Sequence, residues 1–369
     1  MKVLVLSLST GAGHNSCANA IVDCFRKKNV QCDFLDAYKY ISPLLDKTVT
    51  KGYRITSEHL SKGFGFVYGL QEKPKTDGEA AIAVITNSPF ATKLLQYINE
   101  YKPDAIITTH VFVGLMLEAL KRRKELSVPC IGVITDYTIH PFFDCLHSFD
   151  YIVLANELLK DRARRKGLDE KVLLSFGIPI RSQFTEPMDR ETALEKLGIK
   201  TGKPIILLMN GGYGIGRLDK MVKALDSAQG DFEMMTVCGK NERVKAQIDE
   251  LETTHKLYNY GFCTNMDVIM SACYAIVSKP GGLTTSEALA KELPMLIINP
   301  IPGQEERNAE FLLNTGCAMR VTKTFPLEEA AYFLLHSKER AAQMKQSIAA
   351  IKKPNATQEL CDFTIDLIK

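Results

Sequence analysis

Apolar runs of strand length alternate along this 369-residue chain with segments whose apolar residues return every three or four positions. The runs mark strands buried on both faces, and the longer period marks amphipathic helices. In the first half the pattern predicts strands at 3–8, 32–35, 104–109, 130–135, 151–154 and 172–176. Helices are predicted at 15–28, 89–101, 113–124 and 156–166. Residues 177–204 carry prolines, charges and one short helix, and read as a linker. The alternation then restarts, with strands at 205–209, 234–238, 257–260, 275–278 and 295–299. Helices fall at 217–228, 242–252, 265–272, 285–291 and 305–314, and 328–369 is mostly helical. Strand, helix, strand with short connections predicts parallel sheets covered on both faces. The expected fold class is therefore α/β, with two doubly wound domains facing a central cleft. The expected boundaries are 1–180, 181–345 and a C-terminal helix at 346–369 that packs back on the first domain.

One stretch breaks the alternation. "KGYRITSEHLSKGFGFVYGL" (51–70) mixes basic residues with Phe64, Phe66 and Tyr68 and is interrupted by glycines. It reads as a flexible, partly apolar insertion rather than a core helix.

Composition narrows the classes. The chain is 46% hydrophobic and 24% charged with a net charge of +3, which disfavours a strongly basic nucleic-acid binder. The positive excess falls on the first half of the chain. Ten cysteines without a CxxC pair suit reduced cytosolic thiols. No apolar window reaches about 18 residues, so any membrane contact is expected to be peripheral.

Four strand-to-helix turns carry candidate chemistry, because open parallel sheets bind ligands beyond the carboxyl ends of their strands. "STGAGHNS" (9–16) is neither a P-loop nor a complete GxGxxG, and it presents Gly13 and His14. His14 either decorates a helix start or enters a site. "LMNGGYGIGRL" (208–218) brings Asn210, Gly211, Gly212, Tyr213 and Gly214 before a helix, where glycines let backbone approach a phosphate. The alternative is a plain tight turn. "VSKPGGLTTSEAL" (277–289) leads through Pro280, Gly281 and Gly282 to Leu283, Thr284, Thr285 and Glu287. Here Glu287 either accepts hydrogen bonds from vicinal hydroxyls or closes a capping box on its own helix. "NPIPGQEERNAEFL" (299–312) clusters Gln304, Glu305 and Asn308, which suit a hydroxyl-rich ligand or a solvated helix start. "TDYTIHPFF" (135–143) adds Asp136 and His140 after another strand. "KRRK" (121–124) and "RARRK" (162–166) read as solvated helix faces, with an anionic-lipid contact as the alternative. No HExxH, GxSxG or metal-spaced Cys/His set occurs.

Taken in order, "STGAGHNSCANAI", "VITDYTIHPFF", "NGGYGIG", "VCGKN", "KPGGLTTSEAL" and "PIPGQEERNAEFL" resemble the family 28 glycosyltransferases. Within that family they resemble the monogalactosyldiacylglycerol synthases and the bacterial processive diacylglycerol glucosyltransferases. The resemblance covers nearly the whole chain, and the last two segments are its most specific. It implies a GT-B fold of two Rossmann-like domains, with a UDP-sugar in the C-terminal one and no cofactor or bound metal required.

By that resemblance His14, with Asp136, would carry catalysis, and residues 211–215 and 281–285 would line the diphosphate. Phe262 would lie beside the uracil, Glu287 would take the ribose hydroxyls, and Gln304 and Glu305 would hold the hexose. Independently of the resemblance, the mix of Phe64, Phe66 and Tyr68 with basic residues suits a dip into the bilayer surface, and His140 is expected on the acceptor side. The chain departs from the family in lacking any Trp, with Phe142 or Phe143 near the usual place, and in having Asn15 after the histidine.

The implied activity is inverting transfer of glucose or galactose from a UDP-sugar to diacylglycerol, on the inner face of the cell membrane at an anionic surface. Two other readings fit the motifs. One is an N-acetylglucosaminyltransferase acting on a lipid-linked peptidoglycan precursor, and the other is a non-catalytic UDP-sugar sensor. A nucleotide-sugar epimerase is more distant.

Overall fold

The structure, a computed structural model, describes residues 1–8, 12–41, 89–140, 142–209 and 217–369. The insertion at 51–70, with Phe64, Phe66 and Tyr68, lies outside the described residues, as does the turn holding Asn210, Gly211, Gly212, Tyr213 and Gly214. The chain forms two compact units. One comprises Met1–Ser182, Pro302–Gln304 and Lys353–Lys369, and the other Gln183–Ile301 and Glu305–Lys352.

In the first unit, β1 (Lys2–Ser7), α1 (Ala12–Lys27), β2 (Gln31–Asp36) and the short α2 (Ala37–Ile41) precede α3 (Pro89–Tyr101). Then come β3 (Ala105–Thr108), α4 (Val111–Arg122), β4 (Cys130–Val133), β5 (Tyr151–Val153), α5 (Lys160–Arg165) and β6 (Leu173–Leu174). The strands form one parallel sheet in the order β2-β1-β3-β4-β5-β6. In register, Val3 lies between Cys32 and Ala105. Val3 to Leu6 are wholly buried, as strands covered by helices on both faces require.

In the second unit, α6 (Arg190–Leu197) leads into β7 (Ile205–Met209), α7 (Leu218–Asp226), β8 (Glu233–Val237), α8 (Glu242–Asp249), β9 (Leu257–Tyr260) and α9 (Met266–Ala272). There follow β10 (Ala275–Ser278), α10 (Gly282–Ala290), β11 (Met295–Ile297), α11 (Gln304–Asn314), β12 (Ala318–Arg320), α12 (Leu327–His336) and α13 (Lys338–Ile351). This sheet is also parallel, in the order β12-β11-β10-β7-β8-β9. Its core gathers Leu208, Val222, Phe232, Val277, Leu334 and Met344.

The last helix, α14 (Ala356–Leu367), belongs to the first unit and lies on α1. Lys28 pairs with Asp362 at 2.6 Å, and Thr357 Oγ1 donates to the Ile180 carbonyl at 2.6 Å. The chain passes between the units at 182/183, 301/302, 304/305 and 352/353.

Three local expectations change. The 177–204 stretch is not a bare linker: Ile178, Ile180 and Phe184 are buried, and α6 packs on α9. The Asp189 carboxylate caps α6 by accepting from Thr192 N at 2.8 Å, and Gly198, at φ +67°, ends it. β12 carries only three residues, too short for a periodic signal. Finally, α10 begins at Gly282, three residues before the expected start, because Gly281 in an extended conformation already serves as its N-cap.

Topology marks where each unit can bind. The first sheet reverses direction between β1 and β3, and the second between β7 and β10. At such a switch point the two adjacent loops part in opposite directions and open a crevice. Among the described residues no helix is long and apolar enough to cross a membrane.

Candidate active site

His14 lies in the first turn of α1, beside the switch point of the first sheet. Its Nδ1 stands 2.7 Å from the Thr109 carbonyl oxygen, just past β3, and 3.2 Å from Thr135 Oγ1, just past β4. A carbonyl oxygen only accepts, so Nδ1 carries the proton. Burial holds the imidazole below its ordinary pKa, opposed by the Thr109 bond. The neutral ring therefore keeps a lone pair on Nε2, the atom a general base uses. Thr109 is itself held, since its hydroxyl donates to Ser7 Oγ at 2.8 Å.

His110 was not singled out in the sequence. It is buried and caps α4, accepting from Phe112 N at Nδ1 (3.2 Å). Its ring meets His14 edge to face, with centroids 4.6 Å apart. Burial, then His14 and His140, hold His110 well below the ordinary imidazole range. The signal that could have found it is a histidine directly after an apolar strand, in "AIITTHV", at a strand end without glycines.

Asp136, also past β4, is buried and accepts a hydrogen bond from Gln304 Nε2 within the first unit. His140 is half-buried in the loop that follows. The two candidate phenylalanines there part company. Phe143 is buried and packs over Gly132 of β4. Phe142 adopts φ +76°, rare for a bulky residue, and its ring approaches that of the exposed Phe112 at 6.4 Å. Phe142 is half-buried and thus the less buried of the pair. On α5, Arg164 and Arg165 pair with Asp161, while Arg162 donates to Thr138 Oγ1 at 3.0 Å.

In the second unit the switch point falls at the turn after β10. Gly281, the N-cap of α10, offers no side-chain cap, so the N–H groups of Gly282, Leu283 and Thr284 have no partner within the helix. Thr285 is wholly buried, and its Oγ1 finds no hydrogen-bond partner among the described residues. Three N–H groups unmatched within the helix, the helix dipole and a hydroxyl without a partner among the described residues together favour an anion here. The early start of α10 also removes the capping-box alternative: Glu287 sits in the second turn, buried, and is not placed to cap its own helix.

Two residues of α11 border this turn. Asn308 is fully buried and straps it, donating from Nδ2 to the Pro280 carbonyl at 3.0 Å. Glu305 Oε2 accepts from Ile301 N at 2.7 Å, and a Cβ at position 281 would lie 3.9 Å from its Oε1. Burial pushes the Glu305 carboxyl up, opposed by the Ile301 N–H and by Lys279. Phe262, after β9, is 58% exposed with Lys240 Nζ 5.3 Å over its ring. Gly13 lies one residue before His14 on α1. Among the described residues no group of three or more His, Cys, Asp or Glu is arranged to hold a metal ion.

Two doubly wound units, each with polar groups collected at its switch point, have the GT-B fold. Residues 14–180 match the monogalactosyldiacylglycerol (MGDG) synthase family, and residues 211–360 match the glycosyltransferase family 28 C-terminal domain. The chain belongs to the family 28 glycosyltransferases. A processive diacylglycerol beta-glucosyltransferase of Bacillus licheniformis is 28% identical over 372 residues, spanning 99% of this chain and 94% of that one. MurG of Acinetobacter baumannii shares the fold with a TM-score of 0.65 at 17% identity, over 98% of each chain. MnaA of S. aureus, solved with UDP, superposes with a TM-score of 0.64 at 15% identity, over 98% of this chain and 95% of that one.

Proposed function

We propose that the protein transfers glucose from UDP-glucose to the free hydroxyl of diacylglycerol, with inversion at the anomeric carbon. The observation that carries this reading is the tautomer of His14, whose Nδ1–H is spent on Thr109 and whose Nε2 is left to accept a proton. In the proposed step the acceptor O–H gives its proton to Nε2 as its oxygen attacks the anomeric carbon. The bond from that carbon to the diphosphate breaks, and UDP leaves with the electron pair. The unmatched N–H groups of α10 and the Thr285 hydroxyl would offset the charge that develops on the diphosphate. The reading asks for no divalent metal, because that helix start would supply the electrostatic stabilisation.

Support for a diacylglycerol acceptor and for glucose comes from the name carried by the full-length relative. Support for a uridine nucleotide comes from MnaA, a protein of the same fold solved with UDP. Peripheral attachment to an anionic bilayer belongs to the same proposal, since a diacylglycerol hydroxyl is presented at a membrane surface. Glu287 on a ribose, and Gln304 with Glu305 on the hexose, complete the proposed donor contacts.

The test is a donor panel: diacylglycerol vesicles with UDP-glucose, UDP-galactose or UDP-N-acetylglucosamine, each with and without EDTA. UDP release and glycolipid are both followed. Glucolipid from UDP-glucose, unchanged by EDTA, is the expected result. Product from UDP-N-acetylglucosamine alone, or UDP binding without product on any lipid, would overturn the assignment.

A further inference from the structure

His14 and His110 arrive from different strand ends and meet at the switch point of the first sheet, each with one nitrogen committed to backbone. His14 Nδ1 faces the Thr109 carbonyl, so it is a donor. His110 Nδ1 accepts from the Phe112 N–H, so it is an acceptor, and the proton of the neutral His110 ring sits on Nε2. The two rings therefore hold opposite tautomers, each dictated by a main-chain group that cannot change its own role. His110 is also fixed in place: its backbone N–H is donated to Thr108 Oγ1 at 3.3 Å, and its ring stacks on Phe112 at 5.5 Å. An N-cap is usually filled by Ser, Thr, Asp or Asn. A capping histidine adds to the cap a flat, buried ring that lies against His14.

We propose that His110 is a positioning residue: its ring, anchored as the cap of α4, walls His14 from water and holds that imidazole in the orientation that keeps Nε2 as the proton acceptor. The proposal rests on the reading of His14 as the base. The titratable groups that bear on His110 are His14 on α1 and His140 in the loop after β4. Past β3 and β4 the His14 ring otherwise meets the Thr109 carbonyl and the Thr135 hydroxyl, and Asp136 follows Thr135 in the chain. The chief lever on His14 is exclusion of water, which disfavours its charged form.

The experiment titrates the His14 ring by NMR in the full-length protein, alongside the pH profile of kcat/KM. Two variants separate the cap from the ring. His110→Asn keeps an N-cap acceptor and removes the ring, whereas His110→Phe keeps a ring and removes the cap acceptor. The Asn variant is expected to raise the His14 midpoint by about half a pH unit or more, towards the ordinary value near 6.5. The acid limb of kcat/KM should move with it, while the Phe variant leaves both in place. An unmoved His14 midpoint in the Asn variant overturns the proposal. If the midpoint moves and the acid limb does not, His110 keeps its role and His14 loses its assignment as the base. Nitrogen-15 shifts of the unaltered protein give a test that needs no variant: His14 protonated at Nδ1 and His110 at Nε2 are expected. The opposite tautomer at either ring overturns the argument.

Discussion

Replacing Thr285 by Val should make the ligand-free protein more stable and the nucleotide complex weaker. Thr285 is wholly buried in the first turns of α10, and among the described residues its hydroxyl has no hydrogen-bond partner. A buried hydroxyl without a partner costs about 1–3 kcal/mol. Valine keeps the β-branched shape and puts a methyl where the hydroxyl was, so the penalty is removed without opening a cavity. A net gain of about 1–2 kcal/mol is expected, which for a unit of this size is a rise in Tm of roughly 2–8 °C. The same hydroxyl, turned towards a diphosphate, would make a charge-assisted hydrogen bond of about 1.5–3 kcal/mol, so the affinity for UDP should fall roughly 10- to 100-fold. Thermal melts with and without saturating UDP, and calorimetric titration of UDP, read both signs. At saturating UDP the gain in Tm should shrink or reverse, because the ligand stabilises the unaltered protein more. A variant that melts lower without ligand would refute the account of an orphan hydroxyl. Unchanged UDP affinity would refute its role as a ligand.

Three further outcomes are expected. His14→Gln should lower kcat by roughly 10²- to 10⁴-fold while leaving UDP affinity intact, and near-normal turnover would remove His14 from the chemistry. His14 and His110 are both held below the ordinary imidazole value. The unfolded chain therefore takes up protons at about pH 6.5 that the native state refuses. Stability is full above that pH and falls as the pH drops towards the lowered native values, by up to roughly 1.4 kcal/mol per pH unit for each group. Urea midpoints between pH 7.5 and 5.5, compared with those of His110→Asn, check the sign, and a flat profile in both would refute it. Gly177 has φ +102°, and a Cβ there would come within 2.4 Å of Lys353 Cβ and 3.1 Å of Ala356 Cβ, the segment that enters α14. Gly177→Ala should cost about 3 kcal/mol or more in urea unfolding, and a loss below about 1 kcal/mol would show that this junction yields easily.

Where the strands and helices lie was legible in the chain because burial on two faces leaves a plain mark. Ile205–Met209 is an unbroken apolar run and is a strand over those five residues, and Pro89–Tyr101 is a helix over the residues its period predicts. The glycine turns and the family motifs could also be read directly, because their spacing is local.

The tertiary structure decided the rest. That β1 neighbours β3 rather than only β2, and β7 neighbours β10, is a matter of long-range pairing, and it is this order that puts a switch point beside His14 and another beside Gly281. The local pattern gave no reason to choose Phe142 over Phe143, whereas packing buries Phe143 and leaves Phe142 half-buried on a left-handed backbone. His110 went unnoticed because nothing near it in the chain refers to His14, 96 positions earlier in the numbering; only the meeting of two strand ends brings their rings to 4.6 Å. Thr285 reads in the sequence as one of several hydroxyls, and only the fold buries it with no partner among the described residues. Local periodicity is written in neighbouring residues, and so the sequence by itself determined the elements and their class. Which tautomer a histidine holds, and which hydroxyl goes unmatched, depends on groups brought together from distant positions, and the fold alone fixes those.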